Sequence, residues 1–285
     1  LVTGAGGLAL LAGLVLLGQA AGTYELRYIL EAENLHEHPF YTAAVVLILA
    51  GAFTKSAQFP FHFWLPGAMQ APAPVSAYLH SSTMVKAGLY LVARLNPVLG
   101  GGALWAWGVV GFGAVTMLAA AYLAYRQTKM KPLLAYTTVS ALATILTCFG
   151  LGTPYFAQDA WDGAAGYALK AGLVFLFVHA FYKATLFMVA GALEHETGEK
   201  DAEKLGGLAR AMPWTCAAGA VAALSMAGIP PLLGFIGKET VYEAGLQAPV
   251  WAAALTTVFV IANVLNVYAA LLVGVKPFWT RRQET

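Results

Sequence analysis

Residues 54–66 read TKSAQFPFHFWLP, with a lysine, a histidine and two prolines inside a run that is apolar on both sides. A lysine at the centre of a membrane helix costs about 2.5–3.5 kcal/mol on insertion-based scales, so Lys55 needs a physical reason. Pro60 removes a backbone donor and its ring opposes the preceding turn, and Pro66 does the same further on. In lipid, such a break is tolerated only where protein or water satisfies the freed backbone groups. The stretch therefore predicts a broken membrane helix beside a hydrated interior.

The composition places the chain among membrane proteins. Of its 285 residues, 59% are hydrophobic and only 11% are charged, whereas soluble domains carry about 25% charged residues. The net charge of +2 arises from dispersed basic residues, which gives no indication of nucleic-acid binding. Cys148 and Cys216 lie in apolar segments and are interpreted as small buried hydrophobes. We therefore predict an all-α fold, a polytopic transmembrane helix bundle.

Eight candidate spans result when the chain is cut at charged and turn-rich stretches. They are 2–21, 41–70, 74–94, 103–126, 131–151, 163–193, 212–246 and 249–275, of which the second and the seventh are interrupted. Because the links between them are short, residues 1–285 are interpreted as one bundle. The chain begins with Leu1 in an apolar run that has no charged segment before it, so we interpret it as part of a longer protein without a signal peptide at this point.

Most basic residues outside the spans fall on one side if the spans alternate in direction. The positive-inside rule makes that side cytoplasmic, together with the C-terminus of the chain. These residues are Arg126, Lys129, Lys131, Lys200, Lys204, Arg210, Lys276, Arg281 and Arg282. The opposite side then carries the pair Asp159 and Asp162 and an acidic, histidine-bearing loop at 25–38, which includes Glu33. This loop is interpreted as a solvated surface loop, with a cation-gathering role as the alternative.

Five lysines within the spans are the main functional indication in the sequence. They are Lys55, Lys86, Lys170, Lys183 and Lys238. Lys238 follows a second break, in AGIPPLLGFIGKET at 227–240, where glycines and prolines disrupt the seventh span. Two interrupted spans, each with a lysine at the interruption, are typical of transporters built from structural repeats. Proline kinks that only shape the packing are the alternative.

Histidines in the spans accompany these lysines. His179 and Lys183 are one helical turn apart and share a face. His80 lies in the third span, and His62 would share a face with Lys55 on a continuous helix. Buried histidines are more often satisfied core residues, but next to buried lysines they indicate a route for protons. The sequence shows no nucleotide-binding loop, catalytic triad or cysteine motif, so no cofactor is expected, and it does not identify a Na⁺ site.

Four longer stretches resemble the antiporter-like subunits shared by complex I, membrane-bound hydrogenases and the Mrp-type multisubunit cation/proton antiporters. They are GAFTKSAQFPFHFWLPGAMQAPAPVSAYLHSSTMVKAGLYLVARL at 51–95, KMKPLLAYTTVS at 129–140, HAFYKATLFMVAGALEHETG at 179–198 and GIPPLLGFIGKE at 228–239. Within this family, FHFWLPGAM, the lysine of MVKAG and EHETGEKD are most similar to the Mrp branch. The resemblance extends over nearly the whole chain.

The resemblance implies two five-helix repeats in inverted topology, each with a broken helix. Residues 1–94 would form the latter part of the first repeat and residues 103–275 the second. The resemblance also implies a proton relay made of Lys55, Lys131, Lys183 and Lys238, supported by His62, His80 and His179. In the family, Lys55 pairs with a glutamate of the fifth helix, which we expect upstream of Leu1 or on another subunit.

The function that the resemblance implies is that of one component of a secondary antiporter in the cell membrane. It would exchange H⁺ for Na⁺ together with other membrane subunits, and it would not be an enzyme. A proton-pumping subunit of a redox-driven complex, of the complex I or hydrogenase kind, is the alternative. A transport-inactive scaffold that organises partner subunits is a third possibility.

Overall fold

The computed structural model describes residues 1–32, 34–81, 83–156, 163–248 and 251–280. Glu33, Asp159, Asp162, Arg281 and Arg282 of the predictions above lie outside these residues. Within the described ranges no β-strand is present and the regular structure is helical, which confirms the all-α class.

The α-helices of the described residues are α1 (Val2–Ala21), α2 (Leu26–Leu30), α3 (Tyr41–Lys55), α4 (Trp64–Gly67), α5 (Ala73–Ser81), α6 (Met84–Leu99), α7 (Ala103–Tyr125), α8 (Met130–Leu151), α9 (Ala164–Thr197), α10 (Pro213–Ala227), α11 (Leu233–Leu246), α12 (Ala252–Gly274) and α13 (Lys276–Trp279). Short 3₁₀ helices cover Leu35–Glu37, Phe61–Phe63, Ala68–Gln70 and Ala202–Lys204.

Five of these helices are long and apolar enough to cross a membrane: α1, α7, α8, α9 and α12. They correspond to the predicted uninterrupted spans except the third, and they confirm a multi-pass membrane bundle. Helix α9 is longer than predicted, because its 34 residues run to Thr197 and not to residue 193. Glu194 is therefore part of the helix.

Both predicted interruptions are present. Helix α3 ends at Lys55 and α4 begins at Trp64, while α10 ends at Ala227 and α11 begins at Leu233. At the second break, Gly228 adopts a left-handed backbone with φ 83°, which glycine tolerates without steric cost. The first turn of α11 then packs tightly on the end of α10, because a Cβ at Gly234 would lie 1.6 Å from the carbonyl oxygen of Ser225.

The third predicted span, 74–94, was wrong as a single helix. It consists of α5 and α6, which are separated after Ser81, and α6 continues to Leu99. The polar run His80-Ser-Ser-Thr83 marks the separation, and the Thr83 hydroxyl donates to the carbonyl oxygen of Tyr78 at 3.2 Å. Hydroxyl side chains that bond nearby backbone groups compete with helix formation, which accounts for the break.

Helix α8 lies at the centre of the bundle and is buried along almost its whole length. It packs against α7 and α9, and α9 in turn packs against α5, α10 and α11. On the other side of the bundle, α3 packs between α1 and α6. The two broken segments therefore lie on either side of the α8–α9 pair.

Three of the predicted basic stretches meet at one end of the bundle. Lys129 forms an isolated antiparallel bridge with Asp201, and the Lys276 ammonium donates to the carbonyl oxygens of Ala202 and Glu203 at 3.3 and 2.6 Å. Their placement at a common end agrees with the predicted alternation of the spans. In the same loop, backbone N–H groups of Asp201 and Lys200 donate to the Glu199 carboxylate and lower its pKa.

A buried asparagine joins three helices at the opposite end. The Asn96 amide of α6 donates to the carbonyl oxygens of Phe149 and Gly152 at the end of α8, at 3.0 and 3.1 Å. Its carbonyl oxygen accepts the indole N–H of Trp105 in α7 at 2.9 Å. One side chain thus satisfies three buried backbone and side-chain groups.

We expect Asn96→Leu to lower the unfolding temperature of the full-length subunit in its detergent-solubilised complex, as followed by tryptophan fluorescence. The leucine leaves the Trp105 N–H and the Gly152 carbonyl without this partner, and each unsatisfied buried group costs about 1–3 kcal/mol. Tyr90→Phe on the same helix, at a side chain that is 68% exposed, is the control. Equal unfolding temperatures for the two variants would contradict this role of Asn96.

Candidate functional site

Lys183 is the most deeply buried cationic side chain of the predicted relay. It lies near the middle of α9 with no exposed surface. Its ammonium donates to the carbonyl oxygen of Leu134 at 3.0 Å and to the hydroxyl of Thr137, both on α8. Among the described residues, no carboxylate lies within salt-bridge distance of it. Neutral oxygens bind an ammonium without fixing its proton as a carboxylate would, so this site suits a group that gains and loses a proton.

Two of the three predicted relay histidines lie in the same interior. His80 and His179 are both fully buried, and none of their ring nitrogens has a hydrogen-bond partner among the described residues. His80 stacks on Phe187 of α9 with ring centroids 4.6 Å apart, and His179 lies edge-on to Tyr182 at 5.4 Å. Since buried polar atoms are normally paired, these nitrogens remain available as hydrogen-bond partners for water.

Lys86 connects the first part of the chain to this interior. It lies on α6 and is buried, and its ammonium donates to the carbonyl oxygen of Leu176 in α9 at 2.9 Å. Leu176 is less than one helical turn before His179 on α9. Lys86 was recognised in the sequence as a lysine within a span but was not assigned to the relay, because it lies off the face of His80 and Thr83.

Lys238 occupies the second broken segment, on the second turn of α11. It is 9% exposed, and its ammonium donates to the amide oxygen of Asn263 on α12. The amide nitrogen of Asn263 donates in turn to the hydroxyl of Tyr242, one turn after Lys238. Lys238 therefore has, like Lys183, a neutral oxygen as its partner.

A cavity of about 40 Å³ with a mixed polar and apolar lining lies between the Lys183 and Lys238 sites. The polar side chains that line it are Thr137, Thr144, Tyr182, Lys238, Tyr242, Asn263 and Asn266. A water molecule needs roughly 10–15 Å³ of such volume, so the cavity has room for two or three. Because Thr137 both accepts from Lys183 and lines the cavity, water in this space would connect the two lysines.

The asparagines of α12 were not predicted to belong to the site. Asn266 also lines the cavity, where its amide nitrogen donates to the Ser140 hydroxyl at 3.0 Å. Its oxygen is buried and has no partner among the described residues. The sequence feature that could have indicated them is a pair of asparagines, three residues apart, in the most apolar of the five spanning helices.

Lys55 and His62 lie at the first break, as predicted, but not on one continuous helical face. Lys55 is the last residue of α3 and is half-buried, and the described residues place no carboxylate within salt-bridge distance of it. His62 follows in a 3₁₀ turn and stacks on Phe59, with ring centroids 5.5 Å apart. It also approaches the Tyr136 ring of α8 at 6.2 Å. The first broken segment therefore contacts α8 at Tyr136, the residue before Thr137.

Lys131 lies apart from the buried lysines, near the start of α8. Its ammonium is 2.7 Å from a carboxylate oxygen of Glu194, which was not predicted as its partner. Lys131 precedes Leu134 by about one helical turn, and the Leu134 carbonyl accepts from Lys183. Lys170, the remaining lysine of the predicted spans, is on the exposed side of α9.

The chain is similar in sequence to subunits of known cation/proton antiporters. The chain is 49% identical over 251 residues to a Na⁺/H⁺ antiporter subunit of Alkalihalophilus pseudofirmus, an alignment that covers 87% of this chain and 31% of that protein. It is 46% identical over 247 residues to a probable K⁺/H⁺ antiporter subunit of Rhizobium meliloti, covering 86% and 24%. The chain therefore spans a third or less of the length of these relatives.

A solved structure matches the fold. A chain of the Mrp complex from Dietzia sp. DQ12-45-1b superposes with a TM-score of 0.85 at 40% sequence identity, covering 95% of this chain and 29% of that chain. The family described as NADH:quinone oxidoreductase/Mrp antiporter, transmembrane, matches residues 1–265. This chain therefore belongs to the NADH:quinone oxidoreductase/Mrp antiporter transmembrane family.

Proposed function

We propose that the chain is part of a subunit of a multisubunit cation/proton antiporter and carries protons through buried lysines and histidines. The observation that carries the proposal is the fully buried Lys183, whose ammonium, among the described residues, has neutral oxygens as partners, the Leu134 carbonyl and the Thr137 hydroxyl. A lysine buried in lipid-spanning helices is costly, and such residues typically mark ion and proton pathways.

The contacts support a route through part of the relay, with gaps at the unpartnered histidines that water would have to fill. From Lys86, the Leu176 carbonyl leads to the α9 turn that carries His179, and the next turn carries Lys183. Thr137 and the 40 Å³ cavity then lead to Lys238. Lys55 and Lys131 flank this route at the first break and at the start of α8.

The exchanged cation, the membrane, the partner subunits and the orientation of the bundle are part of the proposal. We take Na⁺ as the cation and the cell membrane as the location, with other membrane subunits as partners and with the basic end of the bundle, including the C-terminal residues, facing the cytoplasm. Relatives named for Na⁺/H⁺ and for K⁺/H⁺ antiport both match at similar identity. We also propose that residues 1–94 and 103–275 belong to two inverted repeats, since each contains a broken helix with a lysine at the break.

A proton-pumping subunit of a redox-driven complex is the second candidate, because the matching family includes NADH:quinone oxidoreductases. The first relatives and the solved structure, however, are named for antiporters and for an Mrp complex. A scaffold without transport is disfavoured by the cost of burying Lys86, Lys183 and Lys238. A redox-driven pump would move protons on addition of an electron donor, whereas an antiporter responds to the cation gradient alone.

We expect Lys183→Ala in the full-length subunit to abolish cation-dependent proton exchange by the complex reconstituted in vesicles. The alanine removes the group that accepts and releases the proton, and it leaves Thr137 without its ammonium donor. Proton movement is followed with a pH-sensitive dye inside the vesicles after a Na⁺ or K⁺ pulse.

Lys170→Ala, on the exposed side of the same helix, is the matched control and should exchange at the wild-type rate. Subunit composition of each purified complex shows that assembly is intact. Unaltered exchange by a normally assembled Lys183→Ala complex would eliminate the relay and favour the scaffold.

Asn263 provides a separate test of the neutral environment of Lys238. In Asn263→Asp, a carboxylate replaces the amide oxygen that accepts from Lys238. Hydrogen bonds to charged groups contribute about 1.5–3 kcal/mol, so the aspartate holds Lys238 in its charged form and slows exchange roughly tenfold or more. Asn263→Thr keeps a neutral oxygen and should lose much less activity in the same vesicle assay. If the aspartate variant exchanges as fast as the threonine variant, proton release from Lys238 does not limit transport.

A further inference from the structure

A second cavity, of about 220 Å³, lies at the end of the bundle where α8 begins and α9 ends. The titratable residues that line it are Lys129, Lys131, Lys200 and Glu194, and Gln70 adds a side-chain amide. Three lysines face a single carboxylate, so the lining carries two positive charges in excess. A positive excess of this kind around a partly open cavity favours the binding of an anion.

The cavity is held by backbone and ion-pair contacts. Lys131 and Glu194 form its inner wall, with side chains only 14% and 23% exposed. Lys200 reaches the other oxygen of Glu194 at 3.7 Å, and the Met130 N–H donates to the Lys200 carbonyl at 3.0 Å. Lys129 is bridged through its backbone to Asp201 in the same loop, so the backbone positions of the two outer lysines are fixed, while their side chains are exposed at the rim.

We propose that this cavity binds a phosphate group, supplied by the headgroup of an anionic phospholipid. The single Glu194 carboxylate, which both Lys131 and Lys200 approach, balances only one of the three ammonium charges, so two positive charges remain for the ligand. Ammonium groups form short, charge-assisted hydrogen bonds to phosphate oxygens.

The position of the cavity favours a lipid as the source of the phosphate. It opens beside the ends of α8 and α9, two helices that are long and apolar enough to span a membrane, and therefore lies at the depth of the lipid headgroups. Basic pockets between spanning helices typically receive anionic headgroups. The wall on the opposite side, formed by Pro66, Gly67 and Met69, offers apolar contact to the glycerol end of such a lipid.

The test compares the full-length subunit in its complex with the double variant Lys129→Gln/Lys200→Gln, in vesicles of phosphatidylglycerol and phosphatidylcholine. Lys131 is left intact because it belongs to the proposed relay. Native mass spectrometry after detergent extraction measures the phosphatidylglycerol retained by each complex. Each lysine near a membrane surface contributes about 1 kcal/mol to binding of anionic lipid, a factor of roughly five, so the double variant should retain it about 25-fold more weakly.

Two control variants make the result specific. Lys204→Gln removes a lysine of the same loop whose ammonium lies 3.9 Å from Glu199, outside the cavity lining, and should retain the lipid as the wild type does. Lys129→Arg/Lys200→Arg keeps both charges and should also retain it, which excludes misfolding as the cause of a loss.

The same complexes are also heated in detergent with and without millimolar inorganic phosphate. If phosphate raises the unfolding temperature of the wild type but not of the double glutamine variant, and lipid retention is equal, the phosphate group comes from solution and the proposed phosphate site stands. Equal retention together with no effect of phosphate overturns the proposal. A loss of lipid in Lys204→Gln as large as that in the double variant also overturns it, because surface charge alone would then explain retention.

Discussion

The burial of Lys183 with no carboxylate beside it in the described ranges is the constraint on which the rest of the structure depends. Transfer of an ammonium from water into a protein interior costs several kcal/mol unless hydrogen bonds replace its hydration. Here α8 provides them, through a carbonyl and a hydroxyl one turn apart along its face. This requirement is met because α8 lies at the centre of the bundle and against α9, and it accounts for the hydroxyl of Thr137 in a largely apolar helix.

The two interrupted helices also bring polar groups into the interior, on either side of α8. Each break ends or begins a helix within the bundle, so backbone groups and polar side chains gather where a continuous helix would present only apolar surface. Lys55 lies at one break and Lys238 follows the other. The first broken segment contacts α8 where His62 approaches Tyr136, and Lys238 lines the cavity that Thr137 of α8 also lines. The paired breaks thus position charge on both sides of a single central lysine.

The breaks at Lys55 and before Lys238 were predictable because prolines and glycines act locally, through the backbone of the helix in which they lie. The break after Ser81 was missed, since hydroxyl side chains interrupt a helix only where tertiary packing permits it. Asn263 and Glu194 were missed for a different reason: each is joined to its lysine across 25 and 63 residues of sequence, respectively. Such partners depend on how helices rotate against one another, which hydrophobic periodicity alone does not determine.

The central claim is that Lys183 changes its protonation state during transport. Solid-state NMR of the complex with ¹⁵N-labelled lysine, in lipid vesicles, reports this state directly through the Nζ chemical shift, and the Lys183 signal is assigned by its loss in Lys183→Gln. We expect this signal to move between the charged and the neutral position when pH or the transported cation is varied over the range in which exchange occurs. A Lys183 signal that stays at one position throughout that range would contradict it.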